Sequence, residues 1–168
     1  MSKPFVIAIT GPSGSGKSTV AAKLAKEIEQ CVNIDADYVK HFIANGFIYD
    51  DTSAGVKQWE LLGENVGILA RNFLQQGYSV IINGCINEPA WKRLRKHVEL
   101  TYGILLLPDL LKVKERDAGR KPDDRMGEEA VERHHGYFSE ADYFKEFVTI
   151  DSTEHTIEET VALIQSKI

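Results

Sequence analysis

Cysteine is almost absent from this chain. Cys31 and Cys85 are the only two in 168 residues; they lie far apart without metal-ligand spacing, so two reduced, partly buried thiols are expected. No apolar run approaches membrane-spanning length, and the N-terminus enters an apolar stretch directly, without the pattern of a signal peptide. A soluble, cytoplasmic protein with no membrane partner is therefore expected. Basic blocks interleaved with aromatics are missing too, and acidic residues outnumber basic ones by 25 to 20, which argues against a nucleic-acid partner. An anionic ligand has to be held locally. There are no repeats, linkers or low-complexity tracts, and the guanine-reading pattern N-K-x-D of GTPase switches does not occur. With 43% hydrophobic residues, residues 1–168 read as one domain with a substantial core, as a monomer or a dimer.

Against these absences stands one dense motif. Gly11-Pro12-Ser13-Gly14-Ser15-Gly16-Lys17-Ser18 fits the phosphate-loop pattern G-x-x-x-x-G-K-[ST] at every fixed position. Its glycines let successive backbone N–H groups turn inward around phosphate oxygens. Lys17 adds a charge for the outer phosphates, Ser18 a hydroxyl suited to Mg²⁺, and the helix entered at Ser18 and Thr19 points its positive end at the same anion. The context agrees. Phe5 to Thr10 reads as a buried strand, and Thr19 to Gln30 as a helix with Val20, Leu24 and Ile28 on one face.

The pattern then alternates. Short strands are expected at Cys31–Ile34, Tyr78–Ile82, Thr101–Leu107 and Phe147–Ile150. Helices are expected over Tyr38–Ala44, Ala54–Gln76, a segment after Pro89, one from Pro108-Asp109 toward Arg120, one over Gly127–Phe138 and one at the C-terminus. In the long helix Trp59, Leu62, Val66, Leu69 and Phe73 form the apolar stripe, and in the last helix Ile157, Val161, Ile164 and Ile168 do so. Strands alternating with helices predict an α/β fold, an open parallel sheet covered on both faces. Ligands of such sheets bind beyond the carboxyl ends of the strands, which gathers Asp35, Asp37, Asn83, Gly84, Asp109 and Asp151 near the phosphate loop. Gly63 and Gly67 inside the long helix imply close approach, by a neighbouring helix or by an acceptor molecule near Trp59, Glu60, Glu64 and Asn65.

Two further motifs accompany the loop. Asp35-Ala36-Asp37 follows the second strand, where one carboxylate either carries chemistry or caps the next helix, and Glu115 to Arg125 brings Arg116, Arg120 and Arg125 among the carboxylates Asp117, Asp123 and Asp124. On these three motifs the chain resembles the P-loop small-molecule kinases, a group that includes shikimate, gluconate and adenylate kinases. Within it, the chain is most similar to the kinases related to chloramphenicol phosphotransferase and zeta-type toxins. That resemblance implies a three-layer P-loop NTPase fold with strand order 2-3-1-4-5 and an arginine-bearing lid over about residues 112–138. It also implies that Asp35 holds Mg²⁺ and that Asp37 takes or orients the proton of the attacking hydroxyl. Arg116 and Arg120 would contact the nucleotide, and the backbone around Asp151 would wrap the adenine. The third strand ends in Asn83 where motor ATPases carry acidic residues, which disfavours a motor. The expected activity is ATP- and Mg²⁺-dependent transfer of a phosphoryl group to a hydroxyl or phosphate of a small-molecule acceptor. A nucleoside or nucleotide kinase is the alternative within enzymes, and a slowly hydrolysing ATP-binding regulator is the alternative outside them.

Overall fold

The computed structural model describes residues 3–168; the side chain of Asp124, expected as a partner for the lid arginines, lies outside what it describes. Five strands, β1 (Val6–Thr10), β2 (Cys31–Asp35), β3 (Ser79–Asn83), β4 (Tyr102–Leu106) and β5 (Val148–Ile150), form one sheet in the order β2-β3-β1-β4-β5. Every strand pair is parallel. The helices are α1 (Lys17–Glu27), α2 (Ala36–Lys40), α3 (Ser53–Gln75), α4 (Glu88–Leu94), α5 (Leu110–Ala118), α6 (Glu128–Glu140) and α7 (Ile157–Gln165), with single 3-10 turns at Pro122–Asp124 and Asp142–Phe144. This is the expected α/β architecture and strand order.

Side-chain alternation along the strands separates two cores. Val6 and Ala8 of β1 join Val80 and Ile82 of β3 against Leu62 and Val66 of α3 and Trp91 and Leu94 of α4. Ile7 and Ile9 turn the other way, with Ile81, Ile104 and Leu106, onto Val20 and Leu24 of α1 and Val161 and Ile164 of α7. Both sheet faces are thus covered, and β1 and β3 are apolar apart from Thr10, Ser79 and Asn83 at their ends. Among the described residues no helix is long and apolar enough to cross a membrane, and both cysteines are free.

Several elements depart from the sequence expectation. Helix α2 begins earlier and ends at Lys40 rather than Ala44, because Asp35 caps it and the chain from His41 to Ile43 closes with bonds to carbonyls three residues back. In α3 the stripe rotates. Leu69 and Phe73 are each 37% exposed, while Ala70 is fully buried with Gly63 and Gly67. In α7, Ile157 is 40% exposed, since it opens the helix at the surface. The two glycines explain the rotation: a Cβ on Gly63 would stand 2.1 Å from the carbonyl oxygen of Ala90, and one on Gly67 would stand 3.0 Å from that of Leu94. Helix α4, not an acceptor, is what approaches. Glu64 is taken by α4 and the turn after it, ion-paired with Arg93 at 3.3 Å and in contact with His97 at 2.9 Å.

The contact at Gly63 is with backbone and cannot yield cheaply. Gly63→Ala is expected to destabilise the chain by about 1–3 kcal/mol in denaturant unfolding. Gly136→Ala, whose Cβ would meet nothing within 4 Å in α6, should be neutral or stabilise by up to about 1 kcal/mol.

Candidate active site

The carboxyl end of β1 delivers the chain into the glycine loop. Gly11, Gly14 and Gly16 adopt φ of 148°, 86° and 89°, values that side-chain-bearing residues rarely take. Gly11 is doubly constrained, because a Cβ there would lie 2.2 Å from the Leu106 carbonyl oxygen on β4. Gly16 precedes α1 without a side-chain cap and has open space where a Cβ would be, so the first amides of that helix are available to an anion. Pro12 contributes its carbonyl, which accepts from Ser15 N–H at 3.1 Å and from Lys17 Nζ at 3.2 Å. Lys17 itself is buried, and the Ser15 hydroxyl is buried with no partner. Ser18 and Thr19 are exposed on the first turn of α1.

Asp35 and Asp37 separate in role. Asp35 Oδ1 accepts the backbone N–H of Asp37 at 2.9 Å and caps α2. Asp37 faces the loop and accepts from Lys40 Nζ at 2.9 Å and from Cys85 N–H at 3.4 Å. Burial alone would raise the Asp37 carboxyl, but Lys40, Lys17 and the hydrogen bonds outweigh it and hold the pKa below the ordinary carboxylate value. The same burial would lower Lys40, and Asp37 reverses that and keeps the ammonium charged. Lys40 is enclosed by the rings of Phe47, Tyr49 and Trp59, with centroids at 5.9, 5.4 and 5.7 Å. Cys85 donates its thiol toward Gly11 O at 3.6 Å, and burial pushes its pKa up, so it remains a thiol.

Helices α5 and α6 close over the loop from the far side. Arg116 donates to Gly14 O at 3.3 Å and to Ser152 O at 3.2 Å, and Arg120 donates to Ser13 Oγ at 3.1 Å. Buried Asp117 accepts from Met126 N–H and Gly127 N–H, each at 3.2 Å, and folds the segment between the helices onto α5. Arg125 turns back to the carbonyl of Arg120 at 2.9 Å. From α6, His134 Nδ1 accepts Ser13 N–H at 3.1 Å, and burial, with Lys17 adding to it, lowers its pKa to about 4. Val113 and Phe138 are buried, whereas the described residues between 119 and 127 are exposed or half-buried.

Two clefts flank the loop. One, of about 840 Å³, lies between α2 and α6 and is lined by Ser13, Asp37, Lys40, Tyr49, Trp59 and His134, with Arg133 and Tyr137 on its α6 wall and His41 exposed at its rim. The other, of about 480 Å³, lies between α1 and the turn before α7 and includes Gly16, Thr19, Arg116, Ser152 and Thr156. Asp151 lies beside it, with Oδ1 accepting from Thr153 N–H at 2.9 Å and from the Thr153 hydroxyl. A further cleft of about 810 Å³ opens at the opposite end of the sheet, around Phe5, Thr101 and Tyr102. Asn83 is buried and donates to Asn33 Oδ1 at 2.9 Å. It ties β3 to β2 and is out of reach of a ligand. Lys40, Cys85 and His134 are the site residues sequence reasoning missed. For Lys40 a signal existed in its position three residues after Asp37 on a helix; for the other two, only the fold brings them to the loop.

No curated protein matches the chain in sequence. Among solved structures it is similar to a sugar kinase from Janibacter sp., with TM-score 0.76 and 15% identity over 97% of this chain and 93% of that one. It is also similar to the tunicamycin resistance protein of Deinococcus radiodurans, with TM-score 0.71 and 15% identity over 98% and 95%. A third similarity is to shikimate kinase from Acinetobacter baumannii in complex with shikimate, with TM-score 0.69 and 15% identity over 98% and 92%. At these identities the likeness is one of fold. A family model described as the AAA domain matches residues 6–141, a span that holds the phosphate loop, Asp37, Arg116 and Arg120. The chain therefore belongs to the AAA-domain family and has the fold of the P-loop small-molecule kinases.

Proposed function

We propose that this protein transfers the γ-phosphoryl group of ATP to a hydroxyl or phosphate of a small molecule, with Mg²⁺. The observation that supports this most is the position of Asp37, whose ionised carboxylate shares a cleft with the loop residue Ser13 while Arg116 and Arg120 reach the loop from the lid. A module that only binds nucleotide needs the loop alone.

The residues present fit both implied groups. The open space at Gly16, the unpartnered Ser15 hydroxyl and the buried Lys17 ammonium suit a chain of phosphates. In such a site Mg²⁺ is held by one loop hydroxyl together with phosphates and water. Ser18 would hold it, with Asp35 behind through the oxygen not engaged in capping. When bound, Mg²⁺ supplies neutralisation of charge on the phosphate oxygens.

Phosphoryl transfer asks the protein for alignment and charge compensation. Lys17 and the α1 amides hold the outer phosphates, and Arg116 and Arg120 exchange their carbonyl and hydroxyl partners for phosphate oxygens as the nucleotide enters. Asp37 fixes the acceptor oxygen in line. That oxygen forms its bond to the γ-phosphorus, the bond from phosphorus to the bridging oxygen breaks, and ADP leaves with the electron pair. A carboxylate of lowered pKa is a weak base, so Asp37 orients the hydroxyl first and receives its proton late, as the P–O bond forms.

ADP release should rise over the water rate with at least one member of a panel of nucleosides, sugars, sugar acids and phenicol- or aminoglycoside-type alcohols. With that acceptor, Lys17→Ala should abolish turnover, and Asp37→Asn should reduce it by roughly 10²–10⁴. If no acceptor exceeds water while a protein partner does, the kinase reading is wrong.

The lid reading makes a separate demand. Cleavage by trypsin at the basic residues between 119 and 127 should slow when ATP is added; an unchanged rate would remove the lid.

Lys40→Met should raise the Asp37 carboxyl titration, followed by ¹³C NMR, because the largest opposing charge is gone. The sign for stability follows from the lowered pKa. The ion pair contributes fully above the ordinary carboxylate range and loses its contribution as pH falls through the folded-state value, so the variant should lose stability at neutral pH and little in strong acid.

A further inference from the structure

His134 is unexplained by the loop, the acid or the arginines. It lies on α6 with its ring edge-on to Phe138, centroids 5.1 Å apart at 81°, so the imidazole has little freedom to turn. Its Nδ1 receives the N–H of Ser13 at 3.1 Å. A nitrogen that accepts an amide proton carries none of its own, and a neutral imidazole must then bear its proton on Nε2. Neutrality is supported by the surroundings. The ring is largely buried, Lys17 and Lys40 face it with positive charge, and Asp37 is the one carboxylate acting against them. Among the described residues no protein acceptor takes Nε2–H, and His134 lines the acceptor cleft together with Asp37.

The cleft therefore presents an acceptor-only group and a donor-only group. Ionised Asp37 can take a hydrogen bond and not give one; the Nε2–H can give one and not take one. A hydroxyl answers both at once, because it donates its proton and offers lone pairs. A phosphate dianion answers only the donor and stands against the Asp37 charge, whose compensating cation, Lys40, is already engaged at 2.9 Å.

We propose that His134 reads the acceptor oxygen through Nε2–H while Asp37 receives that oxygen's proton, so that the substrate class is an un-ionised alcohol and not a phosphate. This rests on the kinase reading above and narrows it. It also makes His134 a link between acceptor and phosphate loop, since the same ring holds Ser13. An alcohol bearing a carboxylate elsewhere remains within the class, with Arg133 on the cleft wall to meet it.

The test has two arms. Protein labelled with ¹⁵N in histidine, with His134 assigned by its loss in H134N, should show the Nε2–H tautomer at neutral pH. An Nδ1–H tautomer or an imidazolium there overturns the proposal whatever the acceptor is. In the second arm, alcohols of the panel are each paired with their own phosphate monoester, such as a nucleoside with its 5′-monophosphate. ADP release should rise with an alcohol and not with its ester. H134N keeps an oxygen near the Nδ1 position for Ser13 and withdraws the cleft donor, so it should lower kcat/KM for the alcohol about ten- to a hundredfold with ADP affinity unchanged. H134Q, which returns an amide N–H near the Nε2 position, should recover part of that loss. Equal activity of H134N and wild type overturns the role, and turnover of the ester alone overturns the substrate class. Turnover of neither removes the kinase reading and this inference with it, and the tautomer arm tells the two failures apart.

Discussion

The charge of Lys17 is the interaction on which the site depends. It is the first residue of α1, its side chain is buried, and its ammonium donates to the loop's own Pro12 carbonyl. Among the described residues no carboxylate pairs with it at ion-pair distance. A buried cation whose close partners are the neutral Pro12 carbonyl and the Cys85 thiol is poised for an anion, and binding phosphate relieves the cost of burying it. The field of that charge also sets the neighbours. It helps keep Asp37 ionised and His134 neutral, and it opposes the burial that raises Cys85. Three residues, from the turn after β3, from α2 and from α6, thus owe part of their protonation state to one loop side chain.

The backbone around Lys17 is arranged under a second constraint, space. β4 stands so close to the loop that only glycine fits at position 11, and α5 lies against Gly14, where a Cβ would be 3.2 Å from Val113. These contacts place Arg116 of α5 within reach of the loop, where it touches Gly14 O and Ser152 O together. The same glycines that admit a phosphate on the inside admit the lid helix on the outside.

What the sequence could reveal followed from whether a feature was local. The loop, the alternation of strands and helices, and the placing of Asp37 just beyond the second strand are written in consecutive residues, and all appear in the structure, with Asp37 in the first turn of α2. The capping role of Asp35 was readable as one of two options, and in the structure its Oδ1 takes the Asp37 N–H as a cap. The stripe of α3 misled, because five large residues at helical spacing outweighed a quieter pattern: Gly63, Gly67 and Ala70 are the small residues that let α4 approach. His134 was out of reach for a different reason. It lies 121 residues from Ser13, and nothing in the pair His134-His135 shows which ring faces the loop; the structure gives His135 to the carbonyl of Pro108 at 2.9 Å.

The lid contacts also constrain how the site can close. Arg116 and Arg120 bond to Gly14 O, Ser152 O and Ser13 Oγ, and Arg120 also lies 3.9 Å from the Asp117 carboxylate; a phosphate oxygen outcompetes the neutral partners because charge-assisted bonds are about twice as strong. Exchanging these partners needs only small rotations of two side chains if the helix that carries them stays in place. Asp117 keeps it there: its carboxylate holds the amides of Met126 and Gly127, so the turn between α5 and α6 travels with α5 as one unit. Lys114 reinforces this by bridging to Glu128 and Glu132 on α6. α5, the turn and α6 are thereby tied together, so Arg116 and the cleft whose wall is α6 belong to one connected unit.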